Sequence, residues 1–108
     1  GESFPVGTMP TYIGLIEYTQ QGIEQFEGQP ERLDAARDAM EEMGGELVAY
    51  YNTLGQYDAV AIAEFPSAEA AMMNSVLQGK RGNVRIESLR AFDEDEVEDV
   101  IDQMSEMS

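Results

Sequence analysis

From Ala59 to Ala63 the chain reads Ala-Val-Ala-Ile-Ala, with small and branched residues in strict alternation. Successive side chains of a strand point to opposite faces. This run therefore builds a sheet with alanines on one face and Val60 and Ile62 on the other. Alanines allow a second layer to approach closely, so their face is expected to lie under helices. Gly55-Gln56 supplies a tight connection before the strand, and Pro66 ends it. The strand is predicted over 57–65, with an acid near each end, Asp58 and Glu64.

Similar patterning organises the rest of the chain. Residues 10–18 are short and β-rich and read as a first strand. A polar stretch with two glycines follows and reads as a loop. Pro30 suits the start of a helix. Leu33, Ala36, Met40 and Met43 recur at helical spacing, and Gly44-Gly45 ends that run. Residues 46–54 form the second strand. Ser67 caps an alanine-rich helix over 68–78, and residues 83–92 give the fourth strand. Asp93 and Glu96 form a capping pair, after which Val97, Val100, Ile101 and Met104 mark a third helix.

The order is βαββαβ with an added C-terminal helix. It predicts an α+β, ferredoxin-like sandwich with a four-stranded antiparallel sheet, strand order 4-1-3-2. Strands 1 and 3 are read as parallel neighbours, with strand 4 antiparallel beside strand 1. The 108 residues suit one domain, taken as 9–108. The first eight residues read as an appended remnant, with Met9 as the natural start.

Composition narrows the chemistry. There is no cysteine and no histidine, which removes disulfides, thiolate metal sites and the commonest general base. Acid–base work would fall to carboxylates, tyrosines or the few bases. A hard cation on carboxylates stays open, but no metal site and no cofactor is expected. The net charge is −16, from 22 acids and 6 bases. Such a field repels nucleic-acid phosphates and anionic membrane surfaces. The apolar content of 43% is periodic, so the chain is not a disordered acidic one. The excess of acids with a single lysine is the composition of a salt-adapted, haloarchaeal-type protein, whose self-repulsion concentrated salt screens. No apolar run reaches the ~18 residues of a membrane span. No signal peptide is visible, and a cytoplasmic location is expected.

Several short motifs occur in order: MPTYI, PERLDAAR, the Gly-x-Tyr-Asp of GQYD, GNVR, and SLRAF. As a set this resembles the GYD-domain family from Met9 to about Ile101. The resemblance implies a ferredoxin-like fold related in shape to the dimeric α/β-barrel proteins. It implies no established reaction or cofactor. The signature falls on Gly55, Tyr57 and Asp58.

Alternation then divides the sheet. Gly14, Ile16, Leu47, Ala49, Tyr51, Ala59, Ala61, Ala63, Val84 and Ile86 are assigned to the helix-covered face. The open face receives Ile13, Leu15, Glu17, Val48, Tyr50, Asn52, Asp58, Val60, Ile62, Glu64, Arg85, Glu87 and Leu89. An open apolar face of this size calls for a cover. A second copy is expected, giving a homodimer or larger homo-oligomer; the C-terminal helix is the rival cover. Glu17, Glu64, Arg85 and Glu87 are expected to gather at one end of this face, as a polar site or as an ion-pair network. Asp58, Tyr50 and Asn52 fall toward the middle or the other end. Asp58 is read as a turn residue that accepts backbone hydrogen bonds, and Tyr57 as a packing residue of the helix side. Ile13, Leu15, Tyr50, Asn52, Val60, Ile62 and Leu89 line the expected cleft or interface. Two functions follow. One is a small binding or oligomeric module, with a possible small-molecule ligand. The other is a cofactor-independent isomerase or monooxygenase using the open-face cleft.

Overall fold

The computed structural model describes residues 9–107; the segment read as an appended remnant lies outside them. The expected order is present. Strand β1 (Thr11–Tyr18) leads through a short helix α1 (Gln20–Glu24) and a 3-10 turn to helix α2 (Gln29–Glu42). Then come β2 (Glu46–Asn52), β3 (Ala59–Glu64), helix α3 (Ala68–Lys80), β4 (Val84–Ala91) and helix α4 (Glu94–Met107). The four strands form one sheet in the order β2-β3-β1-β4.

Local chemistry sets the boundaries. Ser67 accepts a hydrogen bond from Ala70 N at 3.1 Å and opens α3. Asp93 and Glu96 make a reciprocal capping box at α4, at 2.8 and 3.2 Å. Gly44, at φ 81°, ends α2. The stretch after β1, expected as loop, is a helical turn. Thr19 caps it by accepting from Gly22 N. Gly22 lies so close to the β4 approach that a Cβ there would sit 2.1 Å from Asn83 O. Five residues are too few to show an apolar period, so α1 was not legible in the sequence.

Two expectations about the sheet are corrected. First, β1 and β3 are antiparallel, with Thr11 opposite Glu64 and Ile16 opposite Ala59. The first crossover makes β1 and β2 parallel, and the hairpin then reverses β3 against both. Second, β2 carries a bulge. Leu47 faces Ala63, but Ala49 faces Ile62 and Tyr50 faces Ala61. The extra residue switches all later side chains of β2 to the other face. Tyr50 and Asn52 therefore lie on the helix side with the alanines, while Ala49 and Tyr51 join Val60 and Ile62 on the open side. The hairpin is also longer than the expected Gly55-Gln56 connection and runs over residues 53–58.

The buried apolar core lies between sheet and helices: Ile16, Met40, Ala59, Ala61, Ala63, Phe65, Ala70 and Ala71. Five of these eight are alanine, so the layer holds little side-chain volume. Helices α2 and α3 barely touch each other. Helix α4 buries none of its residues, and Val97, Val100, Ile101 and Met104 are all exposed. It does not close over the open face, where Leu89 and Tyr51 remain 41% and 61% exposed.

Candidate functional site

The separation of α2 from α3 leaves a cavity of about 450 Å³ between them and the sheet. Its floor is Gly14, Ala61 and Ala63. Leu33, Ala36 and Met40 of α2 and Asn74 and Gln78 of α3 form the walls, with Phe65, Leu47 and Ile86 between. The cavity opens to solvent, so it holds water or a guest and is not a sealed packing defect.

One end of the cavity is polar. Tyr18 Oη donates to Gln29 Oε1 at 2.6 Å and accepts from Asn52 Nδ2 at 2.6 Å. Gln29 Nε2 in turn donates to Asn52 Oδ1 at 2.7 Å. Tyr50 Oη lies 3.2 Å from Tyr18 Oη. Because Tyr18 spends its only proton on Gln29, Tyr50 is the donor in that contact. Burial pushes the Tyr50 phenol far above its ordinary value, and the hydrogen bond and charge of Tyr18 add to this. Tyr50 therefore stays neutral and serves as a hydrogen-bond donor. Arg32 and Arg81, two of the six bases, lie at the rim. Along α3, the amides of Asn74 and Gln78 line the wall; Asn74 Oδ1 and Gln78 Nε2 are buried without a hydrogen-bond partner among the described residues.

The open face carries a different set. Glu17 is opposite Arg85, and Leu15 is opposite Glu87. Tyr57 donates to Glu87 Oε2 at 3.0 Å, so it lies on the open side and not in the helix-side core. This bond is the main cause that raises the Tyr57 phenol above its ordinary value, ahead of burial and the charges of Glu87 and Glu17. A shallow depression joins Leu15, Glu17, Tyr57, Arg85 and Glu87. Glu64 is not part of it. Because β3 runs antiparallel to β1, Glu64 stands at the far end, opposite Thr11 and Glu46. Asp58, expected away from Glu17, sits at Glu17's end instead. Its carboxylate accepts from Tyr18 N at 2.8 Å, while its own N–H donates to Ile16 O at 2.8 Å. Gly55 takes φ 103° with open space around it, a turn position for which glycine is suited. Ile13, Leu15, Val60, Ile62 and Leu89 lie on the open face as expected from alternation; Tyr50 and Asn52 do not.

Asn74, Gln78, Tyr18 and Gln29 were not singled out from the sequence. A signal exists for two of them: Ala70, Asn74 and Gln78 recur every four residues, which places both amides on the same stripe as a buried alanine. Tyr18 and Gln29 come together only through the fold.

Comparison with known proteins finds relatives of this chain. A protein of Thermus thermophilus named glutamine synthetase and cystathionine beta-lyase binding protein is 33% identical over 85 residues, which is 78% of this chain and 90% of that protein. A crystal structure of a Thermus thermophilus protein shares 27% identity, with 79% of this chain and 95% of that one covered, at a TM-score of 0.47. The family model described as the GYD domain matches residues 12–101. That match spans the sheet, α2, α3 and half of α4, and the chain therefore belongs to the GYD domain family.

Proposed function

We propose that this chain is a small binding module that works as a homo-oligomer and engages an enzyme partner, in a salt-adapted cytoplasm. The observation that carries this reading is the open sheet face, where Leu89 and Tyr51 are exposed, Ile13, Leu15, Val60 and Ile62 are half-buried, and no helix of the described residues packs across them. Helix α4 adds a second unpartnered apolar surface on the same chain. Strands of six to eight residues, at ~3.3 Å rise and ~4.8 Å spacing, give a sheet face of roughly 450 Å². The apolar stripe of α4 adds roughly 200 Å². Together they approach the ~800 Å² per partner of a standard interface. A second copy, laying its own face and helix against the first, satisfies both surfaces at once.

The enzyme-binding part of the proposal is supported by the full-length relative that is named as a binding protein for glutamine synthetase and cystathionine beta-lyase. The experiment is surface plasmon resonance of the full chain against glutamine synthetase and cystathionine beta-lyase of its own source, in 2 M KCl. Saturable binding to either supports the reading; no response from both overturns its enzyme-partner half.

A second reading, a cofactor-independent small-molecule enzyme, is favoured by the Tyr18–Tyr50 pair at the end of the cavity. On that reading Tyr50 gives up its bond to Tyr18 and turns its one O–H to a substrate oxygen. Tyr50→Phe would then abolish turnover and leave assembly intact.

A further inference from the structure

Two amides in the cavity wall carry buried polar atoms that the described residues leave unpaired, and the Gln78 side chain otherwise accepts only a long 3.5 Å bond from Arg81 Nη1. Asn74 and Gln78 stand one turn apart on α3 and face the same side. Asn74 is only 5% exposed, and neither its Oδ1 nor Gln78 Nε2 has a hydrogen-bond partner among the described residues. A buried polar atom left unpaired costs free energy that an apolar side chain would not. Alanine serves at Ala70, one turn earlier on the same stripe. Folding alone therefore does not call for amides at 74 and 78, whereas a guest in the cavity does.

The chemistry of that guest follows from the wall. Leu33, Ala36, Met40, Phe65 and Ile86 require an apolar body. The volume of about 450 Å³ lies within the range of small-molecule sites. Asn74 Oδ1 is an unpaired acceptor and Gln78 Nε2 an unpaired donor among the described residues, both turned below the cavity's own surface as they stand. Terminal amide torsions are broad, so a small rotation turns either group toward a guest. A carboxamide or lactam edge supplies the complement, an N–H beside a C=O. A carboxylate supplies acceptors only and would leave Asn74 Oδ1 unpaired, even with Arg32 and Arg81 at the rim to draw it in. We infer that this cavity binds a neutral, largely apolar small molecule through a carboxamide-type or lactam-type edge held by Asn74 and Gln78. The inference rests on the cavity and is independent of the enzyme partner.

The test is an NMR titration of the isotope-labelled full chain in 2 M KCl with three probes: 4-tert-butylbenzamide, its methyl ester counterpart and 4-tert-butylbenzoate. The amide is expected to saturate, shift the side-chain NH₂ signals of Asn74 and Gln78, and bind at least ten-fold tighter than the ester and the benzoate. Asn74→Ala, which cannot overpack, is expected to keep or raise the parent Tm while weakening the amide at least ten-fold. Ala36→Trp, which fills the cavity, should abolish binding of the amide probe. The inference is overturned if the amide fails to saturate, binds no tighter than the ester or the benzoate, or if Asn74→Ala lowers the Tm.

Discussion

Asp58 shows how a signature residue can serve the backbone. Its carboxylate takes the N–H of Tyr18, at the end of β1 where the ladder with β3 has stopped. The same bond fixes the start of the turn from which Thr19 caps α1. Removing the carboxylate leaves a part-buried N–H without its partner, which costs about 1–3 kcal/mol. Asp58→Ala is therefore expected to lose that much stability in urea unfolding at high salt. Asp58→Asn, which keeps an acceptor oxygen, should lose less than half as much; equal losses would show that charge and not the acceptor matters. Glu96 makes a pH-dependent counterpart. The hydrogen bond from Arg90 holds its carboxyl below the usual range, and the backbone N–H of Asp93 adds to this. A carboxyl lowered in the folded state stabilises it fully above the unfolded value of about 4.3, and loses that stabilisation as pH falls through the depressed one. Circular dichroism of α4 should therefore show an acid limb below pH ~4 that is reduced in Glu96→Gln.

The strands and helices were largely legible because their signals are local. The Ala-Val-Ala-Ile-Ala run, the Ser67 cap and the Asp93–Glu96 box each act within a few residues, and the structure has all three. The register of β2 was not legible. A single extra residue near Val48 exchanges the faces of Tyr50 and Tyr51, and alternating Ala, Tyr and Asn carry no hydrophobic pattern strong enough to reveal it. The position of Glu64 failed for another reason: connection order sets strand direction, and the expected crossover and hairpin already imply a β3 antiparallel to β1, against the parallel pair of the sequence reading. These two corrections move the candidate site. Tyr50 and Asn52 leave the open face and join Tyr18 and Gln29 at the end of the helix-side cavity. The bulge thus has a predicted consequence at the scale of one element. Deleting Val48 should restore plain alternation, turn Tyr50 away from Tyr18, and expose the tyrosine that burial now shields. A phenol titrating near its ordinary value, followed by ultraviolet absorbance, would report that exchange; an unchanged titration would show that β2 keeps its present faces without the bulge.

At the scale of the molecule, two surfaces and one field compete. The open sheet face and the α4 stripe favour association, while a net charge of −16 on every copy opposes it. Salt decides between them, because the Debye length falls from about 10 Å at 0.1 M to about 3 Å at 1 M. Tm is expected to rise steeply with KCl up to about 1 M and then level off. Ile62→Asp, which places an unpaired charge in the centre of the apolar face, should give monomers or aggregates and leave the helix-side cavity in place. The most direct measurement of the proposed assembly is the mass of the full chain in 2 M KCl by light scattering coupled to size exclusion. A uniform species of twice the protomer mass or more, reduced to one protomer by Ile62→Asp, is the predicted result. A monodisperse monomer of the parent chain at that salt concentration would contradict it.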